Sequence, residues 1–105
     1  MERDELKGHL DSLILATLDN GPSYGYAIIE DMKARSSGDL SLANGSIYPA
    51  LHRLEREGLV ASGWSTGTLH PRRIYRLTER GAAELRDRRA RWRRFVSTIE
   101  SVLST

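Results

Sequence analysis

The 105-residue sequence contains no cysteine, and this absence excludes several classes of site. A disulfide framework, a thiolate zinc site and a thiol nucleophile all need cysteine. The absence fits a reducing compartment, so we expect a cytoplasmic protein. Long apolar runs are lacking too, since the longest is Leu13–Ala16, far below a membrane span. The charged N-terminus is not followed by an apolar segment, so no signal peptide is expected.

The sequence motifs of enzymes are also lacking. There is no Gly-rich phosphate loop, no serine in a nucleophile-elbow context, and no histidine paired with a carboxylate at catalytic spacing. The three histidines, His9, His52 and His70, lie on separate predicted elements, which argues against a metal site. We therefore expect a protein that is not an enzyme and that carries no metal or other cofactor.

Positive charge is concentrated in the last third of the chain. The whole sequence holds 16 Lys and Arg against 14 Asp and Glu, a formal net charge of only +2. From Arg72 onward, however, ten arginines face only four acidic residues. This distribution suits a polyanionic partner such as double-stranded DNA, and it equally suits a solvated helix.

Apolar spacing predicts three helices in the first half of the chain. Leu6, Leu10, Leu13, Ile14 and Leu18 repeat at helical intervals, and Asn20-Gly21-Pro22 ends that helix. Ser23 is a candidate cap for a second helix that runs to about Arg35. A third helix covers the stretch SIYPALHRLEREG and ends at Gly58. Asn44 or Ser46 would cap it, and a start at Ser46 would place Pro49 in the first turn.

The third helix has the character of a DNA-recognition helix. At 100° per residue, Ile47, Leu51 and Leu54 form one side. The opposite side carries Pro49, His52, Arg53 and Arg56. A narrow apolar seam with a cationic outer face fits major-groove binding, although an ordinary amphipathic surface helix has the same pattern.

The second half of the chain predicts a hairpin followed by one long helix. Residues Leu59 to Trp64 and Arg73 to Leu77 are short extended runs joined by a loop rich in turn formers. Trp64 is expected to pack the hairpin against the body. Thr78 is a good cap for a final helix that continues to about Leu103. The fold class is therefore mainly α with a small β-hairpin, a winged helix-turn-helix over residues 1–77 and a C-terminal dimerisation helix over 78–105, built as one compact unit.

Five distinctive motifs occur in order along the chain. They are Leu6-Lys7-Gly8, Gly21-Pro22-Ser23-Tyr24-Gly25-Tyr26, Gly45-Ser46-Ile47-Tyr48-Pro49-Ala50-Leu51, Arg53-Leu54-Glu55 with Gly58-Leu59-Val60, and Arg72-Arg73-Ile74-Tyr75-Arg76-Leu77-Thr78 with Gly81. Together they make the sequence similar to one family, the PadR transcriptional regulators. The match spans nearly the whole chain, and the final single helix resembles the smaller members.

The resemblance implies a homodimer that represses nearby genes until a small molecule or stress signal relieves repression. It places Ser46, Tyr48 and Pro49 where the recognition helix meets DNA, and Arg72 and Arg73 in the basic part of the wing. His52 and Arg53 join this set through the helix projection, because both face outward and could contact bases or phosphates.

An apolar stripe on the last helix predicts the dimer interface, because a chain this small has little else to cover it. Trp92 matches the position where some members of the family place an aromatic residue in a ligand pocket. The resemblance therefore makes a planar aromatic effector a candidate partner. The alternative is that Trp92 only packs against the second subunit. The predicted interface residues are Leu6, Leu10, Leu85, Trp92, Phe95, Val96, Ile99 and Leu103.

The main competing function is a winged helix that binds protein without binding DNA. That function would favour an apolar outer face on the third helix. The observed His52, Arg53 and Arg56 favour DNA instead.

Overall fold

A computed structural model describes residue 6, residues 8–67 and residues 69–104. Lys7 of the first motif and Thr68 of the predicted wing lie outside the described residues. The elements follow the predicted order of three helices, a hairpin and a long helix. They are α1 (Leu10–Leu18), α2 (Gly25–Arg35), a 3₁₀ turn (Asn44–Ser46), α3 (Ile47–Arg56), β1 (Val60–Trp64), β2 (Arg73–Leu77) and α4 (Glu79–Leu103). The predicted mainly helical class with one small hairpin is confirmed.

One apolar core joins all of these elements. The helical stripes of α1, α2 and α3 meet there, and the hairpin and the first part of α4 close it. Because every element contributes its apolar face, none of them buries that face alone. The core residues are Ile14, Leu15, Leu18, Ile28, Ile29, Met32, Ile47, Ala50, Leu51, Leu54, Leu59, Val60, Tyr75 and Leu85.

The starts of two helices differ in part from the expected caps. Ser46 occupies the cap position of α3, so Pro49 lies in the first turn as predicted, but the Ser46 hydroxyl donates to the carbonyl of Ala43 rather than capping the helix. The cap position of α2 is Tyr24, so the assignment to Ser23 is wrong. Ser23 instead forms an isolated bridge with Tyr75, in which its N–H and carbonyl are both used.

The hairpin attaches to the body through one face only. Val60 pairs with Leu77, Ser62 with Tyr75, and Trp64 with Arg73 in the antiparallel register. Tyr75 is buried in the core, whereas Trp64 at the far end of the same face is 64% exposed. The expectation that Trp64 packs the hairpin against the body is therefore wrong, because the hairpin extends beyond the core at that point.

The junction between the hairpin and α4 is a tight contact between backbones. The Thr78 hydroxyl donates to the carbonyl of Gly58 at 2.7 Å and accepts from the N–H of Gly81 at 3.0 Å, which confirms the predicted cap. A Cβ on Gly81 would lie 1.9 Å from the carbonyl oxygen of Leu59. Only glycine allows this helix start to approach β1 so closely.

The long α4 divides into a covered part and an uncovered part. Leu85 is 2% exposed and belongs to the core of its own protomer. Its assignment to the dimer interface is corrected on that ground, since a side chain already buried offers nothing to a partner. Further along, Trp92, Phe95, Ile99 and Leu103 are exposed, and Val96 is half-buried. Leu6 and Leu10 near α1 are also partly buried.

Candidate nucleic-acid interface

The outer face of α3 gathers five of the residues predicted to contact DNA. Ser46, Tyr48, Pro49, His52 and Arg53 are all exposed along this helix and its preceding turn. The apolar residues of α3 are buried on the opposite side, which fixes the direction in which the outer face points. The helix therefore presents a polar and cationic ridge rather than the apolar face that a protein-binding module would favour.

Tyr48 fixes how α3 packs against α2. A Cβ added to Gly25 at the start of α2 would lie 2.8 Å from the Tyr48 hydroxyl and ring atoms. The phenol ring therefore occupies the space that a side chain at position 25 would need. Tyr48 is nonetheless 41% exposed, so one edge packs while another remains open to a ligand.

Arg72 lies at the base of the wing and is exposed. Its guanidinium sits 4.3 Å from the centre of the Tyr24 ring, a cation–π contact. The backbone on either side of the loop is closed by two hydrogen bonds: the Ser65 N–H donates to the Arg72 carbonyl at 2.8 Å, and the Arg72 N–H donates to the Ser65 hydroxyl at 2.9 Å. These contacts orient Arg72 without neutralising its charge.

Arg73 occupies a different environment from its neighbour. Its Nε donates to the Ser62 hydroxyl at 2.9 Å, and that hydroxyl donates to Glu55 Oε2 at 2.6 Å. Arg73 Nη2 also lies 4.0 Å from the same carboxylate oxygen. The chain of contacts joins α3 to both strands, so the structure places Arg73 in a brace between wing and helix rather than on an open surface.

Arg53 is likewise engaged within the protomer. Its Nη2 donates to Oδ1 of Asp11 on α1 in a salt bridge. The side chain remains 45% exposed, whereas that of Asp11 is only 19% exposed. Of the predicted contacts, Arg53 and Arg73 are held by acidic residues, and His52 and Arg72 have no such partner among the residues that the structure describes.

Tyr75 on β2 is buried near the charged side chains of Glu55 and Arg73. Burial raises the pKa of the Tyr75 phenol, and the nearby Glu55 carboxylate raises it further while Arg73 partly offsets the effect. The phenol therefore stays neutral well into the alkaline range.

A separate groove of about 990 Å³ lies between α1 and α4. Trp92 contacts His9 edge-on at a centroid distance of 5.2 Å and Phe95 at 5.8 Å. Arg88 spans the groove, because it donates to Glu84 at 2.9 Å and to the Ser12 hydroxyl at 3.1 Å. The groove thus combines aromatic walls with cations, which suits a planar guest that carries a carboxylate.

No three His, Asp or Glu side chains are arranged to hold a metal ion within residue 6, 8–67 and 69–104. In the same described ranges, no helix combines the length and apolar character that crossing a bilayer would require.

Comparison with known proteins places this architecture in a family. The profile described as "Transcriptional regulator PadR-like family" matches residues 14–87, which run from α1 into α4. The chain belongs to the PadR-like family. The resemblance in the sequence motifs is thereby confirmed, and the chain is a transcriptional regulator of the winged-helix, DNA-binding type rather than a member of an enzyme family.

Solved structures of other PadR-like proteins share the fold. A PadR family transcriptional regulator from Eggerthella lenta is 32% identical, with a TM-score of 0.84 over 97% of this chain and 88% of its own. A transcriptional regulator from Clostridium thermocellum is 26% identical, with a TM-score of 0.86 over 93% of this chain and 96% of its own. Both cover the long final helix as well as the winged helix.

One PadR structure contains DNA. Bacillus subtilis PadR in complex with operator DNA is 32% identical, with a TM-score of 0.68 over 76% of this chain. Only 46% of that longer protein is matched. The winged-helix part of the PadR-like fold is thus found with operator DNA in a relative.

Three residues important to the interface were not identified from the sequence of this PadR-like chain. Asp11 and Glu55 hold the two predicted arginines, and Gly25 makes room for Tyr48. Helix projection could place Glu55 one turn from Leu51, but it gives no partner on another element. The Gly25 motif was noticed as a family match, without its packing reason.

Proposed function

We propose that the protein is a homodimeric, sequence-specific DNA-binding repressor that acts in the cytoplasm and is relieved by a planar aromatic small molecule. One observation carries the DNA-binding part: Tyr48 of the exposed polar ridge on α3 packs against Gly25, and the exposed guanidinium of Arg72 lies over Tyr24, the neighbour of Gly25. Bacillus subtilis PadR, which has the same fold, was crystallised with operator DNA. In this proposal α3 enters the major groove, and the wing reaches the flanking backbone.

Each candidate residue has a distinct role in this proposal. Tyr48, at the start of α3, donates its hydroxyl to a phosphate, Ser46 does so only after its hydroxyl leaves the carbonyl of Ala43, and Arg72 neutralises a phosphate beside the wing. Pro49 and His52 face the base edges. Arg53 reaches DNA only after leaving Asp11. Arg73 acts mainly through the brace with Glu55, which sets the angle of the wing.

Dimerisation supplies the second half-site. The exposed stripe of Trp92, Phe95, Ile99 and Leu103, with Val96 at its edge, is the surface that a second copy would cover. Leu6, which lines the groove beside Trp92, and Leu10, the first residue of α1, would join this surface. A two-fold dimer would place two recognition helices about one helical turn of DNA apart, which predicts a pseudo-palindromic operator.

The effector would bind at the groove beside Trp92. A flat aromatic ring would stack on Trp92, and a carboxylate on it would compete with Glu84 for Arg88 or with Asp19 for Arg89. Because Trp92 and Phe95 belong both to the groove and to the stripe that a second copy would cover, filling the groove would change the angle between subunits. That angle sets the spacing of the two α3 helices, so the effector and DNA would oppose each other reciprocally.

A footprint on the DNA upstream of the protein's own gene tests the central proposal. We expect protection of two half-sites, and affinity that falls steeply with salt because several phosphates are neutralised. Equal affinity for a shuffled duplex would refute sequence-specific binding. Transcription from the same upstream DNA in vitro, with and without the protein, distinguishes repression from activation.

Arg72→Ala offers a sharper test of the wing. We expect weaker binding to all sequences and a salt slope reduced by about 0.9 per subunit, because one phosphate contact is lost. Arg86→Ala is the matched control, since Arg86 is an exposed arginine on α4 without an ion pair in the described residues. Equal losses in both variants would show that only overall charge matters.

Tryptophan fluorescence tests the effector. In a Trp64→Phe variant the remaining indole is Trp92, and phenolic acids or planar cationic dyes should quench it. The Trp92→Phe variant, which retains only Trp64, should show no such response. Absence of quenching by every compound in the Trp64→Phe variant would assign Trp92 to packing alone.

A further inference from the structure

The salt bridge between Asp11 and Arg53 joins a helix of the body to the outer face of α3. Arg53 donates through Nη2 to one carboxylate oxygen of Asp11. Asp11 is mostly shielded, with 19% of its side chain exposed, while Arg53 is 45% exposed. The carboxylate is therefore the more shielded partner, and the guanidinium is the one that remains open to solvent.

Arg53 has an ambiguous position on the recognition helix. In projection it lies about 40° from Pro49, at the edge of the outer face. This position lets the side chain turn either toward α1, as it does here, or outward beside His52. Its described hydrogen bond uses only Nη2, so the other N–H groups of the guanidinium are left to pair with another acceptor.

The other cations of the outer face are not restrained in this way. The side chains of His52 and Arg56 are exposed and form no hydrogen bond or ion pair with any other described residue. The restraint is thus particular to Arg53. It also comes from a residue that has no place in the DNA contacts proposed above, because Asp11 belongs to α1.

We propose that Asp11 determines DNA specificity by holding Arg53 away from non-cognate DNA. This inference rests on the proposed DNA-binding function. A free arginine pairs with almost any phosphate and raises affinity for all sequences alike. An arginine held by a carboxylate leaves it only for a better acceptor, such as a guanine edge or a phosphate placed for two parallel hydrogen bonds.

Asp11 therefore acts as a positioning residue that penalises the wrong sequence. Discrimination arises as a difference between two affinities, and weakening the non-cognate complex increases that difference as effectively as strengthening the cognate one. The negative charge of Asp11 contributes in the same direction, because it repels phosphates that approach α1 without engaging Arg53.

The experiment compares Asp11→Asn with the wild-type protein on two DNA probes. One is the upstream duplex protected in the footprint, and the other is a shuffled duplex of the same length and composition. We expect affinity for the shuffled duplex to rise by up to about fivefold per subunit, the range of a surface ion pair. Its salt slope should steepen by about 0.9 per subunit as Arg53 gains a phosphate. Affinity for the cognate duplex should rise less, so the specificity ratio falls.

Three further variants separate this role from a charge effect or a folding effect. Asp31→Asn removes the same charge from a more exposed ion pair with Arg35 on α2, and it should leave the specificity ratio unchanged. Asp11→Glu should keep the wild-type ratio. Arg53→Gln should abolish the gain when combined with Asp11→Asn, and should cost shuffled-duplex affinity only in that background.

These measurements distinguish failure of this inference from failure of the proposed function. An Asp11→Asn protein with unchanged or reduced affinity for the shuffled duplex, and a wild-type circular dichroism spectrum, overturns the inference while leaving the proposed function intact. A gain that persists without Arg53, or that Asp31→Asn reproduces, also overturns it. A wild-type protein that binds neither duplex overturns the proposed function together with this inference.

Discussion

The two halves of α4 carry similar apolar spacing but lie in opposite environments. Around Leu85 the helix is covered by its own protomer, and its start touches β1 backbone to backbone. From Trp92 onward it extends beyond the body, and Phe95 is 56% exposed. The first half therefore stabilises the fold, whereas the second half offers surface to another molecule. An apolar stripe alone does not distinguish these two roles.

The largest expected effect is at the start of the covered half. Gly81→Ala should destabilise the protein by about 3 kcal/mol or more, because its Cβ would collide with the Leu59 carbonyl and the backbone must shift. Helix propensity alone predicts a stabilisation of up to about 1 kcal/mol, so even the sign is informative. Thermal unfolding measures it. Gly63→Ala is the control, since nothing lies within 4 Å of a Cβ there.

Truncating one apolar side chain in each half of α4 tests whether the two halves have different roles. Leu85→Ala should lower the free energy of unfolding by about 3 kcal/mol at every protein concentration, because it leaves a cavity in the protomer core. Phe95→Ala should affect thermal stability only at concentrations where dimers form, since its ring contributes through association. If the stability of both variants depended on protein concentration in the same way, unfolding curves at several concentrations would contradict the difference between the two halves of α4.

A charge on the uncovered half tests what covers it. Ile99→Asp should weaken dimerisation at least about tenfold, because an unpaired carboxylate would be buried at the seam. Sedimentation velocity reports the oligomeric state, and circular dichroism confirms that the protomer remains folded. Ser101→Asp adds the same charge to an exposed site off the stripe, so it should leave the dimer in place. A wild-type protein that is monomeric at micromolar concentration would refute the proposed interface.

The smallest expected effect is at the junction between the hairpin and α4. Thr78→Val keeps the shape of the side chain but removes the hydroxyl that bonds Gly58 and accepts from Gly81. A loss of about 1 kcal/mol is expected, typical of a helix cap. Chemical denaturation compares it with Thr66→Val, which alters an exposed loop position. A loss no greater than that of the control would mean that water replaces the cap.

The elements that were predictable from sequence are those set by local chemistry. Thr78 as a cap, Pro49 in a first turn and the strand from Arg73 to Leu77 depend on neighbours in the chain, and the structure has all three. The prediction for Trp64 was wrong because the exposure of its side chain depends on how far the hairpin extends past the core. The predicted cap of α2 was wrong because the backbone of Ser23 pairs with Tyr75, a residue 52 positions away along the sequence.

Sequence reasoning predicted which residues of the candidate site are exposed, but not which of its charged side chains form ion pairs. Helix projection placed His52 and Arg53 outward, and both are exposed. It could not show that Arg53 meets Asp11 or that Arg73 meets Glu55, because those pairs join different elements. Projection likewise gave Leu85 and Ile99 one stripe. Only the packing of α1 and β2 against the first half of α4 separates them.

The contact between Tyr48 and Gly25 has a consequence for engineering. The pair sets the position of α3 on the body and does not include Pro49 and His52, the two residues proposed to face the base edges, so we expect that both can be replaced together without reorienting the helix. A library at those two positions should yield proteins with altered target preference and unchanged architecture. Any library that includes position 48 must vary position 25 with it, because the ring and the missing side chain share one space.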